Sequence, residues 1–194
     1  MPTYFDIEVS LSTVYPLIWR RFLLRTTGTT FADLHRAIQD ACGWLDYHLY
    51  RFDEATPRGL VGVAQSPIEI EDSYDDTPSA ERVALAPWVG KFAPRACHYL
   101  YDWGDEWHHD VVFRGIVQTD ERFFRRLVGG ERGFPPEDCG SMYGFERILE
   151  FRRTGVDPYG EDDLAEWLGD WQPEVDIERV RAEFDSARKP RARR

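Results

Sequence analysis

Apolar and polar residues alternate strictly from Phe5 to Leu11, with Phe5, Ile7, Val9 and Leu11 on one side and Asp6, Glu8 and Ser10 on the other. That period of two predicts a half-buried strand. After the turn signal Tyr15-Pro16, residues 18–25 predict a second strand whose apolar face, Ile18, Phe22 and Leu24, is interrupted by Arg20. An arginine on a core face needs an internal partner, and Asp102 or Glu137 is the expected one. The period then lengthens: Thr30 and Asp33 have capping-box spacing, and Phe31, Leu34, Ile38, Ala41 and Cys42 recur at helical intervals until Gly43. Residues 48–52 return to strand character, so the chain begins with the order ββαβ, that of a β-grasp half.

The central pattern is His98 to Val112, two alternating aromatic runs meeting at Gly104-Asp105. This predicts a β-hairpin with a two-residue turn. Asp102 is then opposite Trp107 and Leu100 opposite His109. In that register Leu100, Asp102, Trp107, His109, Val111 and Phe113 share the more apolar face, and Tyr99, Tyr101, His108, Asp110 and Arg114 share the other. Before the hairpin, residues 59–63 and 68–70 predict short strands, and the acidic run 71–76 a solvated loop. After it, residues 128–143 are rich in glycine and proline and predict an ordered surface loop. Three helices follow, set by Phe145, Ile148, Leu149 and Arg152; by Leu164, Trp167 and Leu168; and by Ile177, Val180, Phe184 and Ala187 with Asp176 as N-cap. The fold class is therefore α+β, with a mixed, mainly antiparallel sheet, a central hairpin and a C-terminal helical cluster. Residues 1–187 form one domain and 188–194 a flexible basic tail.

Charge refines this picture. The formal charge is -11, yet Arg188, Lys189, Arg191, Arg193 and Arg194 crowd the last seven residues; removing those five positives from -11 leaves -16. A body that acidic repels nucleic-acid backbones, so any nucleic-acid contact is expected of the tail alone. The 3 cysteines, Cys42, Cys97 and Cys139, are odd in number and widely spaced, and reduced thiols are the expectation. No apolar run is long enough to span a bilayer and no leader pattern precedes the first strand, so a cytoplasmic protein without membrane partners is expected.

Several motifs occur in one order: Leu17-Ile-Trp-Arg-Arg; Thr30-Phe-Ala-Asp-Leu-His with Gly43-Trp and His48-Leu; Tyr101-Asp-Trp-Gly-Asp-Glu-Trp-His-His; Gly130-Glu-Arg; Pro135-Pro-Glu-Asp-Cys-Gly; and Tyr143-Gly. Together they resemble the Ri-plasmid ORF-3-like family, from about Tyr4 to about Phe184. Two positions depart from the family pattern: Trp103 stands where phenylalanine is common, and His108 precedes the matching His109. The resemblance implies a plasmid, chromosomal or insertion-element passenger protein without an established activity. A resolvase-like role sometimes attached to such proteins finds no chemistry here, because neither a serine nucleophile among basic residues nor a basic helix-turn-helix is present.

The functional expectation is a non-enzymatic interaction or accessory module linked to mobile or plasmid-derived DNA. It would work through a protein partner and need no cofactor. Arg20, Tyr99, Tyr101 and Trp103 are its candidate binding residues. The alternative is a metal-dependent hydrolase assembled from the hairpin and the proline-rich loop. Its one divalent metal would be held by Asp102, His109 and Asp138, with Glu137 as general base for a bound water. The spacing of these residues matches no established zinc motif. His35 and His48 read as packing residues, and Cys139 as a weak candidate nucleophile.

Overall fold

Residues 1–67, 76–90, 95–160 and 163–186 are described by a computed structural model. The first pattern becomes β1 (Thr3–Leu11) and the second β2 (Trp19–Arg25), which pair antiparallel with Ile7 opposite Phe22. Thr30 caps α1 (Phe31–Cys42) through a complete capping box with Asp33, and Gly43 ends it in the left-handed region at φ 85°. The remaining strands are β3 (Tyr50–Thr56), β4 (Gly59–Gln65), β5 (Arg95–Tyr101), β6 (Trp107–Gln118) and β7 (Arg125–Glu131). Helices α2 (Leu85–Val89), α3 (Ser141–Thr154), α4 (Leu164–Leu168) and α5 (Ile177–Ser186) complete the described chain.

The seven strands form one sheet in the order β4-β3-β5-β6-β1-β2-β7, antiparallel at every strand pair, with one isolated parallel bridge between Gln65 and Ser79. The hairpin β5–β6 sits at the centre, as its aromatic pattern requires. Strand β3 does not lie beside β1 as in a β-grasp half, because β5 and β6 intervene. Two expectations, the strand at 68–70 and the basic tail at 188–194, lie outside the described residues, as does nearly all of the acidic run 71–76.

One face of the sheet is the core. Phe5, Ile7, Val9 and Leu11 of β1 are buried with Phe22, Phe52, Tyr99, Val111 and Phe113, under Phe31, Leu34 and Ile38 of α1 and Phe184 of α5. Asp176 accepts from Arg179 N at 3.1 Å, the expected N-cap contact of α5. The opposite face is polar and laced by ion pairs, Arg21 with Asp6 and Arg114 with Glu8.

Three details differ from the sequence expectation, each for a physical reason. The hairpin turn is five residues long, 102–106, rather than two. Asp102 and Glu106 take left-handed φ values of 57° and 54°. The Asp102 carboxylate accepts from Gly104 N at 2.8 Å, and Glu106 N donates to Asp102 O at 2.7 Å. An odd turn changes parity: Tyr101 now faces Trp107 and Tyr99 faces His109. A one-residue slip moves a whole strand's side chains to the other face, so Tyr99 and Tyr101 point into the core with Trp107 and His109.

The second difference is β7, which occupies the first part of the supposed loop 128–143. Its Gly130 lies against Arg20, the third difference. Arg20 is only 2% exposed and meets no carboxylate among the described residues. Its Nε donates to Ala41 O at 3.0 Å, and its Nη1 to Trp19 O at 2.8 Å and Glu131 O at 3.1 Å. The guanidinium also covers the Phe134 ring. A carbonyl at the negative end of α1, that of Ala41, and two strand carbonyls, those of Trp19 and Glu131, thus replace the expected Asp102 or Glu137. Burial lowers the arginine's pKa from its ordinary value.

Candidate functional site

Three connections meet at the hairpin end of the sheet: residues 44–49 between α1 and β3, the turn 102–106, and residues 132–140 between β7 and α3. They are stitched by hydrogen bonds that their sequences supply. Trp44 Nε1 donates to Pro135 O at 2.8 Å, and Leu45 N donates to Glu137 Oε2 at 2.7 Å. Tyr101 OH donates to Glu137 Oε1 at 2.6 Å and accepts from Tyr47 N at 3.2 Å. Asp102 N donates to Leu49 O at 3.0 Å, and Gly140 N to Asp105 Oδ2 at 3.0 Å. Burial, and then the Glu137 hydrogen bond, raise the Tyr101 pKa, so the phenol stays a donor.

The stitching gathers His48, Asp102 and Asp138, whose candidate ligand atoms all lie within 4.8 Å of one another. His48 Nε2 is 2.7 Å from Asp138 Oδ1, 3.6 Å from Asp102 Oδ2 and 3.8 Å from Glu137 Oε1. Asp102 is buried, His48 half-buried and Asp138 exposed, so the cluster opens to solvent on one side. Both aspartates hold left-handed backbone, Asp102 at φ 57° and Asp138 at φ 56°. Aspartate tolerates that region better than most residues.

Of the sequence candidates, the fold brings Asp102, Asp138 and Glu137 together but leaves His109 apart. His109 is fully buried, with Nδ1 at 3.2 Å from Tyr99 O and Nε2 without a hydrogen-bond partner. Trp44, Tyr99 and Phe134 surround it, and burial pulls its pKa down to about 3. Both oxygens of Glu137 are engaged, by Tyr101 and by Leu45. Tyr99 and Tyr101 are buried, whereas Trp103 in the turn is 50% exposed. Arg20 lies in the core and lines an open cavity of about 370 Å³ with Phe134 and Trp171. Cys139 has its pKa pushed up to about 12 by burial and by Asp105, so it remains a protonated thiol and a poor nucleophile.

His48 is the site residue that sequence reasoning missed. Its partner Asp138 is 90 residues away, and strand character around it suggested packing. The available signal was its place in a short connector immediately after a glycine helix cap, where a lone imidazole faces the loops rather than the core.

A second polar network runs inward from the same end. His35 Nε2 is 2.6 Å from Asp46 Oδ1 and His35 Nδ1 is 2.8 Å from Tyr99 OH, while Gln39 Nε2 donates to Tyr99 OH at 3.1 Å. Because a carboxylate only accepts, Nε2–H donates to Asp46 and Nδ1 accepts from Tyr99. Burial lowers the His35 pKa despite Asp46. Tyr50 stacks on the ring at 3.5 Å.

Among the described residues, no helix is long and apolar enough to cross a membrane. In sequence, the chain is 30% identical over 166 residues to the uncharacterized protein y4hQ of Sinorhizobium fredii (strain NBRC 101917 / NGR234), covering 84% of this chain and 79% of that protein. In structure, it is similar to the protein of unknown function MM3350 from Methanosarcina mazei Go1. That crystal structure matches with a TM-score of 0.76 and 27% identity, over 93% of this chain and 97% of the other. Residues 3–179 match the Plasmid pRiA4b ORF-3-like protein family, and of the segments that carried the resemblance, Gly43-Trp with His48-Leu, the run from Tyr101 and Pro135-Pro-Glu-Asp-Cys-Gly supply the loops that meet at the His48 cluster; the chain belongs to that family.

Proposed function

We propose that His48, Asp102 and Asp138 form a divalent-cation centre and that the chain acts as a metal-dependent hydrolase. The observation that carries this reading is the convergence of three donors, from three separate connections, within 4.8 Å. Bonds of about 2.1 Å to zinc or a similar ion put neighbouring ligand atoms about 3.0 to 3.4 Å apart. The 3.6 Å separation of His48 and Asp102 is near that range, and the 2.7 Å pair must open by a few tenths. One imidazole and two carboxylates suit zinc, manganese or iron, and three protein ligands leave a position for water. A metal in this place would lower the pKa of that water. Glu137, clamped by Tyr101 and Leu45, supports a holding role beside His48 more than that of a free base.

Elemental analysis of protein purified without added metal tests the centre. Stoichiometric metal, lost in His48→Ala and Asp138→Ala but kept in a folded His109→Leu variant, is the expected result. Metal-dependent turnover of chromogenic esters and phosphoesters tests the reaction. A metal-free wild type that cannot be loaded with zinc, manganese or iron would overturn the proposal.

A second reading, a partner-docking module linked to mobile or plasmid-derived DNA, is favoured by a different observation. Leu45 is 59% and Tyr47 69% exposed, on the loops that also present Trp103. Exposed rings and an aliphatic side chain on one end are the composition of an interface centre. Reproducible co-purification of one protein from the native host, abolished by Trp103→Ser, would favour this reading; its persistence in that variant would count against it.

A further inference from the structure

The opposite end of the sheet holds an open cavity of about 670 Å³, within the size range of small-molecule sites. It lies at the start of β1, and Tyr4 is separated from Leu11 by about 23 Å of extended strand, so it is remote from the His48 cluster. Tyr4, Arg25, Arg122, Phe123 and Phe124 line it, together with Pro2.

Its walls are fixed. Tyr4 OH donates to Glu121 O at 2.9 Å and accepts from Phe123 N at 3.1 Å, which pins the chain after β6 onto the sheet. The Tyr4 and Phe123 rings stack at 3.9 Å, and Arg126 covers Phe123. Arg25 lies over Phe124 at 5.7 Å from the ring centre.

The charge at this cavity is anomalous for so acidic a chain. Elsewhere the arginines are mostly neutralised: Arg21 by Asp6, Arg114 by Glu8, Arg125 by Asp40, and Arg126 by the nearby Glu121. Arg25 and Arg122 both line the cavity, and neither has a carboxylate partner among the described residues. The Nε of Arg25 is moreover buried without an acceptor, so its guanidinium is under-satisfied. Two unpaired guanidinium groups on fixed aromatic walls combine a charge-assisted donor set with apolar surface.

We propose that this cavity binds a small organic anion, a phosphate or carboxylate group carried on an aromatic or apolar body, with the anionic group at Arg25 and Arg122. The body would rest against the Phe123 and Phe124 side, and the two guanidinium groups would supply the local positive charge that offsets the repulsion of an otherwise acidic chain.

Isothermal titration of the full chain at low salt, with phenyl phosphate, benzoate, inorganic phosphate and benzyl alcohol as probes, tests this. One of the two aromatic anions is expected to bind at least about 10-fold more tightly than benzyl alcohol and than inorganic phosphate, and to weaken as salt rises. Which aromatic anion binds better assigns the group as phosphate or carboxylate. Arg122 is exposed, so Arg122→Gln should fold as the wild type does, and it should weaken binding about 10-fold, as should Arg25→Gln. His48→Ala should leave it unchanged, which separates this site from the metal centre. Benzyl alcohol binding as well as the anions, inorganic phosphate binding as well as phenyl phosphate, or affinity retained by both arginine variants would each overturn the proposal.

Discussion

His109 shows how a single residue's environment fixes its role. A histidine that the expected register placed on one face with Asp102 is, in the fold, an imidazole enclosed by Trp44, Tyr99 and Phe134 with one nitrogen unpartnered. Desolvation disfavours the charged ring, pulling its pKa from the ordinary histidine value of 6.5 down to about 3. The folded state therefore binds fewer protons than the unfolded state between these two values. The stability this group contributes is complete above about pH 6.5 and is lost as pH falls toward 3, at up to about 1.4 kcal/mol per pH unit. Burial lowers His35 too, so its contribution has the same sign. Urea unfolding at a series of pH values should show a falling stability below about pH 6.5, with a slope reduced by nearly one proton in His109→Leu. An unchanged slope in that variant would mean that His109 titrates normally. At this scale the sequence made Asp102 and Asp138 legible as candidates, the first as a carboxylate expected on the apolar face of the hairpin and the second as an acidic donor in a proline-rich loop that could fold over it. It did not make His48 legible, since what distinguishes it is a partner brought up by another loop.

At the scale of elements, legibility followed how local the determinants are. The strand β1 and the capped helix α1 are written in period and spacing, and removing the Thr30 hydroxyl with Thr30→Ala should cost about 1 kcal/mol in thermal or chemical unfolding. The hairpin was legible as a hairpin but not in register. Its parity depends on the Asp102 side chain holding Gly104 N and on two non-glycine residues accepting left-handed backbone, which no alternation reveals. Strand β7 was hidden because its glycines read as loop. Gly130 has a packing reason: an added Cβ would lie 2.5 Å from Arg20 Cδ and 2.7 Å from Trp19 O, the latter being backbone that cannot swing away. Gly129 is different, since its added Cβ would meet only Trp19 Cη2 at 3.7 Å. Gly130→Ala should therefore destabilise by about 1 to 3 kcal/mol and disturb the Arg20 contacts, whereas Gly129→Ala should change stability by well under that. Equal effects in denaturant titrations would refute the close approach of β2 and β7 at Arg20.

At the scale of the molecule, the sheet separates two chemistries. The hairpin end gathers carboxylates around an imidazole, and the far end gathers unpaired arginines around phenyl rings. The strands between them are rigid and densely paired, so the two ends should respond to their ligands independently, as distant sites without shared partners usually do. The proposed metal centre makes the stronger claim about global stability. Its three ligands come from the connections after α1, β5 and β7, so an ion there ties together segments otherwise joined by a few hydrogen bonds, and none of that arrangement exists in the unfolded chain. A ligand that binds only the folded state at 100 times its dissociation constant adds about 2.7 kcal/mol. For a chain of this size that corresponds to a rise of roughly 5 to 10 °C in the melting temperature. Thermal unfolding of metal-stripped protein, repeated with excess zinc or manganese, should show such a rise. His48→Ala should melt near the stripped wild type and gain little from the ion. Arg122→Gln, at the other end of the sheet, should keep the full gain. An equal shift in His48→Ala would place the ion elsewhere, and no shift with either metal would return His48 and its aspartates to the role of a hydrogen-bonded clasp between loops.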